Sequence, residues 1–105
     1  MSFLRKHRIT SPSGPDAPAG GFQASAESRA SIDTDGIALF HLSSGLIFRA
    51  NRIGAIIWQG VRDKQTVQNI AAGISREHGV SLGQAEQDTT AFIAELRAQK
   101  FLVES

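Results

Sequence analysis

"DGIALFHLSSGLIFRANRIGAIIW", residues 35–58, changes periodicity half-way along. Its first part, "IALFHL", is mostly apolar, the pattern of a central strand covered on one face and flanked on both edges. "SSG" at 43–45 then reads as a three-residue hairpin loop with Gly45 in the left-handed conformation. "LIFRA" returns as a further strand, with Leu46, Phe48 and Ala50 on one face and Ile47 and Arg49 on the other. At Asn51 the period switches. Asn is a good helix N-cap, and Ile53, Ile56 and Ile57 recur at the three- and four-residue spacing of a helical stripe that also holds the only Trp, Trp58. Gly60 is expected to end this helix.

Working towards the N-terminus, "DTDG" at 33–36 is a turn signal in which Gly36 can take a positive φ. Before it, "SRASID" alternates, with Ala30 and Ile32 opposite Arg29, Ser31 and Asp33, which predicts a half-buried strand. Three strands joined by short turns form a meander whose outer members are edges. Working towards the C-terminus, Thr66 caps a second helix that buries Val67, Ile70, Ala71 and Ile74 and closes at Gly79. Ser81 and Gln84 have the spacing of a capping box, and Val80 can staple onto Ala85. A third helix turns Ala85, Thr89, Phe92, Ile93 and Leu96 inward and ends near Lys100, after which Phe101, Leu102 and Val103 fold back as an apolar clasp. The expected class is α+β: a three-stranded antiparallel meander followed by three helices, similar to a winged helix-turn-helix. Residues 22–105 make this domain. Residues 1–21 hold all three prolines and the cations Arg5, Lys6 and Arg8, and their composition predicts a disordered tail or linker.

Composition narrows the function. The 105 residues suffice for one core, and a formal charge of +1 supplies no field that would draw the chain to nucleic acid or membrane. The absence of cysteine fits a reducing compartment, and the cytoplasm is the expected location. No nucleophile elbow, phosphate loop or paired-histidine motif occurs, and His7, His41 and His78 are scattered. Ser43 and Ser44 read as turn residues. No enzyme activity, cofactor or metal is therefore expected. A winged helix that binds DNA sets a basic helix in the major groove, whereas 82–99 carries Glu86, Asp88 and Glu95 against Arg97 alone.

What remains is a binding module, and "LIFRA" is its most informative part. It is a sheet edge with neither Pro nor Lys to blunt it, so its main-chain groups are a template for a further strand. The occupant of that edge is an extended peptide, the chain's own tail or clasp, or a second copy in a homodimer.

Three stretches, "DGIALFHLSSGLIFRANRIGAIIW", "TVQNIAAGISREHGV" and "AEQDTTAFIAELRAQKFLVE", together resemble the PqqD family across residues 28–104. These are small peptide chaperones, or recognition elements, that serve ribosomally made and post-translationally modified peptides. The resemblance implies a non-catalytic protein that binds the leader segment of a precursor and presents it to a maturation enzyme, such as a radical SAM enzyme or a leader peptidase. It implies that the leader adds antiparallel to the third strand at Leu46, Ile47, Phe48 and Arg49. The groove would be walled by Asp88, Ala91, Phe92, Glu95 and Gln99 of the third helix. Asn51, Ile57 and Trp58 match family positions that look like cap and core. The chain departs from the family in having Arg62-Asp63 where many members carry Asp-Gly, Lys100 where a Gly precedes the terminal apolar pair, and Ala50 where a Leu often precedes the Asn.

Overall fold

The computed structural model describes residues 22–104; the expected tail, residues 1–21 with Arg5, Lys6, His7 and Arg8, lies outside the described residues. In chain order the elements are β1 (Phe22–Ala24), β2 (Ser28–Asp33), β3 (Gly36–His41), β4 (Ile47–Ala50), α1 (Arg52–Arg62), α2 (Val67–His78), α3 (Leu82–Ala98) and β5 (Leu102–Glu104). Strands β2, β3 and β4 form the expected antiparallel meander, with Leu39 opposite both Ala30 and Phe48. The α+β, winged-helix-like class therefore holds. One addition is a short ribbon in which β1 pairs with β5, Gln23 opposite Val103. The clasp is thus a strand, with Phe101 and Leu102 buried and Val103 exposed.

Turn chemistry fixes the register. The Asp33 carboxylate accepts from the N–H groups of Asp35 and Gly36, closing the first turn. Gly36 has φ +152°, and a Cβ placed on it would meet the Ala50 carbonyl oxygen at 2.1 Å and the Asn51 backbone at 2.9 Å. Only glycine lets β3 start where β4 hands over to α1. In the second turn Gly45 is left-handed, its N–H bonds the His41 carbonyl, and Ser44 Oγ accepts from Leu46 N–H.

Each helix starts on the expected cap. Asn51, Thr66 and Ser81 side chains accept from the N–H of Gly54, Asn69 and Gln84 respectively. Gly79 closes α2 with φ +72°. Gly60, however, does not end α1, which continues to Arg62 and caps at Asp63. A Cβ at Gly60 would lie 2.5 Å from Ile70 Cγ1, so this glycine brings α2 close against α1 rather than breaking the helix. Two non-glycine residues take the left-handed conformation, Lys64 (φ 64°) after α1 and Lys100 (φ 72°) after α3. Lys100 stands where the resembling family has a glycine, whereas Lys64 lies one residue beyond the Arg62-Asp63 departure and Asp63 itself has φ −85°.

The core joins the inner face of β3 to all three helices. Leu39, Ile57, Trp58, Val61, Ile70, Ile74, Leu96 and Phe101 are fully buried. Trp58 is a core residue, and each such side chain contributes about 1.5–3 kcal/mol of transfer free energy. β2 differs from expectation. Apart from half-buried Ser28 it is exposed along its length, with Ile32 at 41 %. Alternation set its faces correctly, but no helix reaches far enough across the sheet to cover it.

Candidate functional site

The hydrogen-bond parity of the meander decides which main-chain groups are available. In an antiparallel pair, every second residue turns its N–H and C=O towards the partner, and the residues between turn theirs away. His41 N–H bonds the Leu46 carbonyl, so the pairs His41–Leu46, Leu39–Phe48 and Ile37–Ala50 carry the β3–β4 bonds. Ile47 and Arg49 therefore direct N–H and C=O outwards, along an edge of β4 that pairs with no other strand among the described residues. Their side chains leave the sheet on its outer face, and Ile47 is 53 % exposed. Leu46, Phe48 and Ala50 point to the inner face, where Phe48 and Ala50 are half-buried.

Beside this edge stands α3. Phe92 reaches from it to β4, with its ring 5.8 Å from that of Phe48. Phe48 also lies 6.0 Å from Phe101, which in turn stacks edge-on with His41 at 5.9 Å. The floor between strand and helix is thus aromatic, and it rests on a fully buried ring. Asp88, Glu95 and Gln99 share a flank of α3 with Phe92, being four, three and seven residues away from it, and Ala91 lies three residues after Asp88 and four before Glu95. Asp88, Ala91 and Glu95 are exposed and Gln99 is half-buried. The Gln84 amide donates to Asp88 Oδ1 (2.9 Å) and the Gln99 amide to Glu95 Oε2 (3.1 Å).

The Phe48–Phe92 contact thus brings together two stretches about forty residues apart in sequence, Leu46–Arg49 and Asp88–Gln99. A residue missing from the expected set also shapes it. A Cβ on Gly54 of α1 would stand 2.5 Å from Ala50 Cβ and 3.0 Å from Phe92 Cζ. Its absence lets the Phe92 ring settle against the β4–α1 junction. A glycine inside a helix costs about 0.5–1 kcal/mol relative to alanine, so an interior helical Gly among isoleucines is a sequence signal of close approach.

The arrangement offers an extended chain main-chain partners on one side and an apolar floor beneath. In the exposed β3–β4 turn Ser44 Oγ lies 3.1 Å from His41 Nδ1. Among the described residues no three His, Cys, Asp or Glu side chains come together as metal ligands, and no helix is long and apolar enough to cross a membrane.

The sequence pattern of the family described as Coenzyme PQQ synthesis protein D (PqqD) matches residues 36–102, and the chain belongs to that family. Two solved structures share its fold. One is a lasso peptide synthetase B1 complexed with its leader peptide: 23 % identical, TM-score 0.73, covering 79 % of this chain and 98 % of that one. The other is TbiB1 in complex with the TbiA(beta) leader peptide: 24 % identical, TM-score 0.69, covering 76 % and 93 %. No curated protein matches the chain.

Proposed function

We propose that this protein is a non-catalytic recognition element that binds the leader segment of a ribosomally made precursor by strand addition along β4. The observation that carries this is the outward-facing main chain of Ile47 and Arg49 beside the Phe48–Phe92 floor. Membership of the PqqD family and a fold shared with two proteins solved with leader peptides support it. In this reading Leu46, Ile47, Phe48 and Arg49 supply the pairing strand. Asp88, Ala91, Phe92, Glu95 and Gln99 supply the wall. The chain holds the leader in the cytoplasm while a separate maturation enzyme, such as a radical SAM enzyme or a leader peptidase, works on the attached core. The acidic flank of α3 weighs against a DNA-binding alternative, because phosphate would be repelled where a recognition helix must dock.

Proline scanning of the two sheet edges tests the mode. Ile47→Pro deletes an N–H that points to the guest, without removing a β3–β4 bond. Ala30→Pro deletes an equivalent outward N–H on β2, since Arg29 and Ser31 carry the β2–β3 bonds. The probe is a synthetic candidate leader peptide, titrated by calorimetry, with folding checked by circular dichroism. Ile47→Pro is expected to weaken binding about tenfold or more, the loss of one desolvated main-chain bond plus local misfit, and Ala30→Pro to leave it unchanged. Unchanged affinity in a folded Ile47→Pro protein would overturn strand addition at β4.

A further inference from the structure

The charged residues of α3 divide between two flanks, Glu86 and Arg97 on one and Asp88 and Glu95 on the other. On the flank away from β4, the Arg97 guanidinium lies 4.6 Å above the Phe22 ring of β1. On the flank that meets β4, Asp88 and Glu95 bracket Phe92, four residues before it and three after, and no Lys or Arg shares that flank. Among the described residues neither carboxylate has a cationic partner. Each instead accepts one amide hydrogen bond from a glutamine four residues away. These neutral donors hold the carboxylates in place without cancelling their charge, and each keeps unused acceptor positions. An aromatic floor therefore sits between two fixed, uncompensated negative charges, alongside a strand edge whose main-chain groups await a partner.

Resting on the strand-addition reading, we propose that the groove selects a leader segment of the pattern basic–x–apolar–x–basic. In an added strand, alternate side chains face the same way. A residue seated on Phe48 and Phe92 is thus followed, two positions to either side, by residues that face α3. Asp88 and Glu95 are seven residues apart, about 10.5 Å along the helix axis, and residues four apart in a strand span about 13 Å. Lysine or arginine side chains at those two positions reach the carboxylates, their apolar stems covering the rim of the floor. A leader with acidic residues there would meet like charge at both ends of its anchor.

The test uses three fluorescein-labelled peptides with the same central apolar residue and the same remaining sequence. They carry Lys, Gln or Glu at both flanking positions and are titrated against the full chain by fluorescence polarisation. At low salt the Lys probe is expected to bind about tenfold more tightly than the Glu probe, the size of two partly exposed ion pairs gained rather than opposed. The preference should shrink to within about twofold at 0.5 M salt, where charges are screened over a few ångströms, and in the Asp88→Asn/Glu95→Gln protein. Equal affinity of the Lys and Glu probes, or no binding of the Lys probe, would overturn the charge pattern. If binding persists with equal affinities but is lost in Ile47→Pro, the charge pattern alone fails and strand addition stands. If the Lys preference survives Ile47→Pro, the strand-addition reading fails instead.

Discussion

Among the described residues the meander has two open edges, and they are not alike. β2 directs the main chain of Ala30 and Ile32 outwards, and β4 does the same with Ile47 and Arg49. Counted in unpaired N–H and C=O groups the edges are equivalent. The difference is what stands beside them. β2 is exposed on both faces, with Ile32 at 41 % and no helix over it. β4 has α3 alongside, Phe92 against Phe48, and Gly54 making room behind. A guest on β2 would gain main-chain bonds worth only about 0.5–1.5 kcal/mol each, set against the entropy of ordering itself. On β4 it would also bury apolar side chains against the Phe48–Phe92 pair. An open edge alone is a hazard for aggregation; an open edge with a wall is a site. The family pattern matches from residue 36 onwards, so it takes in β4 and α3 and leaves β2 out.

The largest effect should come from breaking the junction that separates the two edges. In Gly36→Ala the new Cβ overlaps the Ala50 carbonyl oxygen at 2.1 Å, in a backbone conformation at φ +152° that L side chains rarely adopt. Strain and overpacking together are expected to cost about 2–4 kcal/mol. Urea denaturation measures this, and a change below about 0.5 kcal/mol would mean that β3 and the β4–α1 junction are not held as closely as described. The loss should fall on β4 first, because Ala50 and Asn51 must move, so leader affinity should drop even where the protein remains folded.

Phe92→Ala should come next, since it makes the β4 edge resemble the β2 edge. Phe92 is only half-buried, so stability should fall by about 1–2 kcal/mol, less than for a fully buried aromatic. Peptide affinity should fall about tenfold while the main-chain edge stays intact. Retention of wild-type affinity in calorimetry would show that the wall is dispensable and that the two edges differ in some other respect.

The edges were not equally legible in the sequence. The meander, its turns and all three N-caps could be read because turns and caps are local: Asp33, Gly45, Asn51, Thr66 and Ser81 each act within four residues of themselves. The strand half of the site could be read too, from the alternation in "LIFRA" and the absence of any blunting residue. The helix half required the family resemblance. Nothing local says that Asp88 and Glu95, unlike Glu86, share the flank of α3 that meets β4, because that depends on how a helix packs forty residues after the strand. The β1–β5 ribbon was missed for the same reason. Three residues pair with three others some eighty positions away, and so short a strand has no period to detect. β2 was expected to be half-buried because alternation fixes faces but not their covering. Gly60 was misread as a stop because a glycine needed for close helix packing and a glycine that ends a helix are the same letter.

The smallest effect concerns the anchorage of the β2 side. Lys100 is left-handed, φ 72°, and the next residue, Phe101, turns its carbonyl to Ser25 N–H and to Ser28 Oγ at the start of β2. The turn therefore ties α3 to the β1–β2 region, while the Lys100 side chain itself makes no contact with Phe48 or Phe92 among those described. For an L residue this conformation costs about 1–2 kcal/mol, whereas glycine adopts it freely but loses more entropy on folding. Lys100→Gly should accordingly stabilise the protein by about 0.5–1 kcal/mol, a rise of a few degrees in Tm for a domain of this size. Leader affinity should not change, because Ile47, Phe48 and Phe92 are untouched. A gain in stability together with a change in affinity would show that strain at the end of α3 reaches the Phe48–Phe92 pair, and that the two edges are mechanically coupled through the helix.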